Sequence, residues 1–230
     1  VNFSQLITDL VGDTNTSLSF FRPELALCAT IVVMLLVRVL RGGQRIDAFW
    51  IALIGSLAGF YLSIPWGQIG HLGELENRKM FGSLFTGMLV YDPFTIYFRA
   101  ILLGFAVLFT IFTKLSGIPD REDAPDFYSL VFGATIGMCL MATANHLVII
   151  FLGVEMASVP SYALAGMLKG RRRSSEAALK YSVYGAGAAG VMLYGISLIA
   201  GVTGSCHLPT IASRMAEMFT GQNQLADHAT

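Results

Sequence analysis

A chain of 230 residues in which 54% are hydrophobic and only 13% charged departs from the soluble pattern, where charged side chains make up about a quarter. Fifteen basic and fifteen acidic residues cancel to a net charge of +0, which excludes a net field for nucleic acid or acidic ligands. A mean hydropathy of +0.64 points to lipid as the solvent for much of the chain.

The first stretch, VNFSQLITDLVGDTNTS, carries Asp9 and Asp13 and lacks a basic segment followed by an apolar core, so a cleaved signal peptide is not expected. Residues 1–22 are expected to form a non-cytoplasmic segment. A bilayer core about 30 Å thick needs roughly 20 mostly apolar residues per helix. Windows at 23–40, 48–66, 93–113, 127–144, 146–167 and 177–202 meet this or nearly so. The expected fold is all-α, a polytopic membrane bundle of about six transmembrane helices over residues 23–202. In the first window Glu24 and Arg38 stand near opposite ends and are expected to snorkel to water. Proline and glycine mark the joints: IPWG at 64–67 closes the second helix and GIPD at 117–120 opens a polar loop. Residues 203–230 turn polar, with a weakly amphipathic piece at 211–219, and are expected to be an extramembrane tail or truncated loop.

The loops test this layout, because basic residues collect on the cytoplasmic side. With an outside N-terminus, the inside loops hold Arg41, Arg45, Lys114, Arg121, Lys169, Arg171, Arg172 and Arg173, and the outside segments hold Arg22, Arg78, Lys79 and Arg214. Eight against four, with KGRRR the densest cluster, puts both termini on the non-cytoplasmic face.

Two patterns suggest chemistry and do not carry it. Cys28, Cys139 and Cys206 are widely spaced, so neither a disulfide framework nor a zinc site is expected, and the thiols read as small apolar fillers. Residues 185–190, GAGAAG, spell a dinucleotide-binding turn, which needs a strand before it and an acid about 20 residues on. Residues 181–206 carry no charge and the next acid is Glu217, so no nicotinamide site is expected. Ala178, Ser182, Ala186 and Gly190 instead recur every fourth residue, a row of small side chains that lets another helix approach closely.

Three ionisable residues fall inside apolar windows: Arg99 in FTIYFRAILL, Glu155 in VIIFLGVEMASVP and Lys180 in SSEAALKYSVYG. At the centre of a bilayer each costs at least about 2.5 to 3.5 kcal/mol, so each needs a partner or a task. Glu155 is near the middle of its window, with Pro160 to loosen the backbone and Ser158 and Ser161 to bond freed carbonyls. Lys180 lies one or two turns inside the cytoplasmic end. It either snorkels beside Arg171, Arg172 and Arg173 or faces Glu155, in which case their separation moves both proton affinities. Arg99 follows Asp92 by seven residues, on one helical face, and the two are expected to anchor structure, with a charge link to a neighbour as the alternative. His146 is expected to cap its helix, with proton passage as the alternative. Glu176 reads as a solvated first-turn charge.

The stretches FGSLFTGMLVYDPFTIYFRAILL and FLGVEMASVPSYALAGMLKGRRRSSEAALKYSVYGAGAAGVMLYGISLIAG resemble the subunit N family of proton-pumping NADH-quinone oxidoreductase, respiratory complex I. These are antiporter-like subunits, kin to subunits of sodium/proton antiporters and membrane-bound hydrogenases. The patterns E-M-x-S-x-P-x-Y and E-A-x-x-K-Y carry the likeness, which spans roughly residues 81–204. It implies that Glu155 is the membrane glutamate of a proton channel and Lys180 the lysine on the following helix. It implies the front part of a fourteen-helix fold of two inverted repeats, and protons moved by electrostatic coupling to quinone reduction in other subunits. Quinone, NADH, FMN and iron–sulfur clusters are then expected in partner subunits and none on this chain. The expected partners are other membrane subunits and the lipid bilayer, with no nucleic acid, and the expected place is a bacterial inner membrane. The family's further lysines lie on later helices, so a fragment or a split gene product is expected, ahead of a truncated form that has lost pumping. An antiporter or hydrogenase subunit, and a scaffold in which the charges form static pairs, stand as alternatives.

Overall fold

The computed structural model describes residues 3–41, 47–65, 82–118, 123–168 and 170–227. Among the loop residues named above, Arg45, Trp66, Gly67, Arg78, Lys79, Pro119, Asp120, Arg121 and Lys169 lie outside them. The elements run α1 (Phe3–Phe20), α2 (Arg22–Arg41), α3 (Ala48–Ser63), β1 (Gly82–Leu84), β2 (Leu89–Tyr91), α4 (Pro93–Ser116), α5 (Ala124–Thr143), α6 (Leu147–Ala165), α7 (Arg172–Thr203) and α8 (Leu208–Asp227).

Each apolar window has become a helix, α2 to α7 in turn. Against about six transmembrane helices expected, four among the described residues, α4, α5, α6 and α7, are long and apolar enough to cross a membrane, or five if α1 and α2, a pair bent by 77°, make one span; α3 is shorter at 16 residues. The bend falls at Phe21, just ahead of Pro23, whose ring cannot extend a preceding helix but suits the first turn of a new one. Local chemistry sets the other ends. Asp92 caps α4 by accepting from Thr95 N at 2.7 Å, with Pro93 following, and Gly117 closes it at φ 70°.

Three regions depart from expectation. The N-terminal segment contains α1, and the supposed polar tail forms α8. Of α8, Ile211 is buried, while residues 212–220 are exposed. An antiparallel hairpin, with Ser83 opposite Val90, precedes α4. Its turn places Phe85, Thr86 and Gly87 at φ 50°, 55° and 87°, a left-handed run that is costly for a β-branched threonine. Helix α1 clasps that turn: Ser17 Oγ accepts from Phe85 N at 3.0 Å and Asp13 Oδ2 from Thr86 N at 2.9 Å.

Helices α2 to α5 enclose the core, around Leu27, Met34, Ala52, Leu103, Phe132 and Cys139. Cys139 thus fills core space, whereas Cys28 is exposed on its helix. At one end Arg38 pairs with Asp126 and Lys114 with Asp47, tying α2 to α5 and α4 to α3. Helix α6 then packs on α5, and α7 on α6. The α5–α6 crossing is tight: a Cβ on Gly137 would meet Ala157 N at 2.6 Å and Gly153 O at 2.8 Å.

Gly185, Gly187 and Gly190 all lie within α7, so they form no strand-to-helix turn. The small-residue row is corrected in detail. The less exposed stripe of α7 is Ser174, Ala178, Ser182, Gly185, Ala189, Met192 and Ile196, while Ala186 and Gly190 are exposed. Strict steps of four advance about 400° and drift about 40° each, so a row that starts on the interface at Ala178 leaves it by Gly190.

Candidate functional site

Arg99, Glu155 and Lys180, the ionisable residues of the apolar windows, fall into two groups. The first centres on Glu155, the ninth residue of α6. Gly153 and Ala157 press α6 against Gly137 of α5. Glu155 projects about 200° around the helix from Gly153 and shares its face with Tyr162, seven residues on. Tyr162 contacts α7: its ring fills the space a Cβ on Gly185 would take, and it lies edge-on to Tyr181 with centroids 4.6 Å apart. Glu155 therefore stands on the α7 side of α6, half-buried, and among the described residues it forms no hydrogen bond or ion pair. Pro160 lies inside the helix and has no N–H for the carbonyl of Met156. One turn is loosened there, and Ser161 Oγ donates to Ala157 O at 2.8 Å.

Lys180 is placed elsewhere. Its ammonium bonds Glu176, one turn back on α7, at 2.6 Å, with side chains 65% and 56% exposed. The α6–α7 register sets its distance from Glu155. Tyr162 opposes Gly185, and a Cβ on Gly166 would meet Ala178 Cβ at 3.0 Å, so Glu155 stands level with about residues 189–192. That puts it on the order of 15 Å along the axis from Lys180, at about 1.5 Å per residue. Glu155 and Lys180 lie on neighbouring helices without facing one another.

The second group is Arg99 with Glu24, and Glu24 does not snorkel to water as expected. Glu24 is 0% and Arg99 4% exposed, and the two form an ion pair between α2 and α4. Arg99 Nη2 also donates to Phe20 O at 3.0 Å, a carbonyl left free by the α1–α2 bend. Glu24 Oε1 and Arg99 Nε are buried without a hydrogen-bond partner. Asp92 does not reach Arg99, since its carboxylate is the α4 cap. The missed signal was an acid directly after Pro23, in a chain whose Arg99 also stands in an apolar stretch with no acid at i,i+4 spacing. Two opposite charges each needing a partner are a pair to test.

At the hairpin end, His146 caps α6 by accepting from Val148 N at 3.3 Å. Beside it Asn145 Nδ2 donates to Gly87 O at 3.1 Å and meets His207 Nε2 at 3.0 Å. Asn145 and His207 thereby join the hairpin turn, the α5–α6 joint and the α7–α8 joint. His207 was not singled out from sequence. Among the described residues, no three His, Cys, Asp or Glu side chains gather to hold a metal.

The family model described as NADH:quinone oxidoreductase/Mrp antiporter, transmembrane, matches residues 144–227, which include Glu155, Lys180 and His146. The chain is 36% identical over 220 residues to NADH-quinone oxidoreductase subunit N 2 of Sorangium cellulosum, covering 94% of this chain and 42% of that protein. It is 34% identical to subunit N 2 of Chloroherpeton thalassium, covering 88% and 38%. The chain thus spans about two-fifths of the length of the curated relatives it matches. Among solved structures, respiratory complex I from Thermus thermophilus with bound aureothin contains a similar chain, with a TM-score of 0.62 and 26% identity over 84% of this chain and 41% of that one. An archaeal membrane-bound sulfane sulfur reductase shares the fold, with a TM-score of 0.66 at 18% identity over 83% and 40%.

Proposed function

We propose that the chain takes part in proton translocation driven by quinone reduction elsewhere in a membrane complex, a reading supported by its similarity to NADH-quinone oxidoreductase subunit N over about two-fifths of that protein's length and by the antiporter-like family model over residues 144–227. One observation carries this reading. Glu155 is a carboxyl group in the middle of an apolar helix, turned toward α7 and free of any fixed partner among the described residues. A structural charge in such a place is normally paired, as Glu24 is with Arg99; a carboxyl kept free can take up and release a proton.

Lys180, held by Glu176, serves the same path from the cytoplasmic end. Because about 15 Å separates it from Glu155, a proton passes between them through water or intervening groups and not by direct contact. Quinone, NADH, FMN and iron–sulfur clusters belong to partner subunits, and the complex resides in a bacterial inner membrane with the hairpin end on the non-cytoplasmic side. The deciding experiment is proton pumping by the assembled complex in vesicles with Glu155→Gln. Pumping falls while complex yield stays the same; undiminished pumping would remove Glu155 from the path.

A further inference from the structure

Arg171, Arg172 and Arg173 stand where α7 begins, Arg171 at its N-cap without a side-chain cap bond. All three are exposed, and among the described residues none pairs with a carboxylate. The first turn holds no acidic residue, and the nearest one along α7, Glu176, is bound to Lys180. Three arginines thus sit at the positive end of a helix dipole, where an anion and not a cation is stabilised. The first N–H groups of α7, those of Arg172 and Arg173, have no acceptor inside the helix.

This charge lines a cavity. An open cleft of about 460 Å³ is bounded by Arg171, Arg172 and Arg173 with Ser174, Ala165 and Leu168. Its two sides are fixed to one another, because Ser174 Oγ donates to Ala165 O at 2.7 Å. Leu168 is exposed at its edge, and Leu179 and Val183 are exposed further along α7. A basic rim beside apolar wall, at the ends of two membrane helices, matches an amphiphile with an anionic head. Arginines grip phosphate oxygens in pairs, and acyl chains cover the exposed leucine and valine.

We propose that this cleft binds the phosphate of an anionic phospholipid. The inference stands apart from proton movement and from Glu155.

The test uses the intact complex in phosphatidylcholine vesicles containing a trace of photoreactive phosphatidylglycerol, with cross-linked peptides mapped by mass spectrometry. Label is expected on residues 165–183, competed by unlabelled phosphatidylglycerol. R171Q/R172Q/R173Q lowers it at least about tenfold with complex yield and labelling elsewhere intact, and R171K/R172K/R173K, which keeps the charge but loses the paired grip, lowers it by a smaller factor. Unchanged labelling in the glutamine variant, or equal labelling by photoreactive phosphatidylcholine, would overturn the proposal. Displacement by millimolar inorganic phosphate as efficient as by lipid would overturn it too, and assign the site to a soluble anion.

Discussion

Arg99 of α4 and Glu24 of α2 meet as a buried ion pair at the point where the chain turns by 77° between α1 and α2. A pair in this position holds two helices and the freed carbonyl of Phe20 with one guanidinium. Removing one partner leaves the other charge stranded, which costs about 3–5 kcal/mol, whereas replacing both with apolar side chains relieves the charge. Arg99→Leu and Glu24→Leu are each expected to lower thermal stability by an amount of this order. The double variant is expected to recover most of it, short of the cost of the uncapped Phe20 carbonyl. A thermal-stability double-mutant cycle reads the coupling, and simple additivity of the losses would refute it.

The α6–α7 register makes a geometric prediction. In a background without Cys28, Cys139 and Cys206, Gly166→Cys with Ala178→Cys forms a disulfide, because the two Cβ positions already approach. Glu155→Cys with Lys180→Cys does not, being on the order of 15 Å out of step. Gel mobility after mild oxidation distinguishes them, and bridging of the second pair would show that the register slides.

Glycines on the same bundle should respond in opposite ways. Gly137→Ala thrusts a methyl onto the backbone of α6, and neither helix can yield without parting, so a loss of about 1–3 kcal/mol is expected. Gly187→Ala meets nothing within 4 Å and is expected to gain up to about 1 kcal/mol of helix propensity. Melting temperatures of the two variants check this, and equal effects would argue against the α5–α6 crossing.

Asn145→Ala removes the donor shared by Gly87 O and His207. A loss of about 1–3 kcal/mol is expected, with faster amide hydrogen exchange confined to residues 84–89 and 205–208. Exchange unchanged there would mean that the three joints are held independently.

Lys180 and Glu176 form an exposed i,i+4 pair, worth at most about 0.5 kcal/mol. Glu176→Gln is therefore expected to leave stability unchanged. Any loss of pumping it causes would come from releasing Lys180, and Lys180→Met should show at least as large a loss in the same vesicle assay.

The helices were readable because a membrane span announces itself in hydropathy alone: every window became a helix, even 48–66, which yields only 16 helical residues. The partner of Lys180 stands in SEAALK at i,i+4 spacing, yet the expectation set Lys180 beside the arginines or facing Glu155 and left Glu176 to solvent. Glu24 was not readable in the same way. Its partner lies 75 positions away, and burial is a property of packing between helices that no local pattern encodes. The small-residue row failed gradually, since spacing by four imitates a helical face for a turn or two before it drifts. The hairpin escaped because three-residue strands carry too little alternation to read, and its turn is held from outside by Asp13 and Ser17.

The bend at Phe21 also bears on biogenesis. Glu24 must wait for Arg99, and at a synthesis rate of about 5–20 residues per second that wait lasts roughly 4–15 s. A straight helix would have to carry an unpaired carboxylate into lipid during that interval. With the chain broken three residues before Glu24, the carboxylate occupies the first turn of α2, where it is expected to stay hydrated until the hairpin and α4 arrive. Insertion of α2 and α4 becomes one linked event, sealed when the guanidinium closes over the bend.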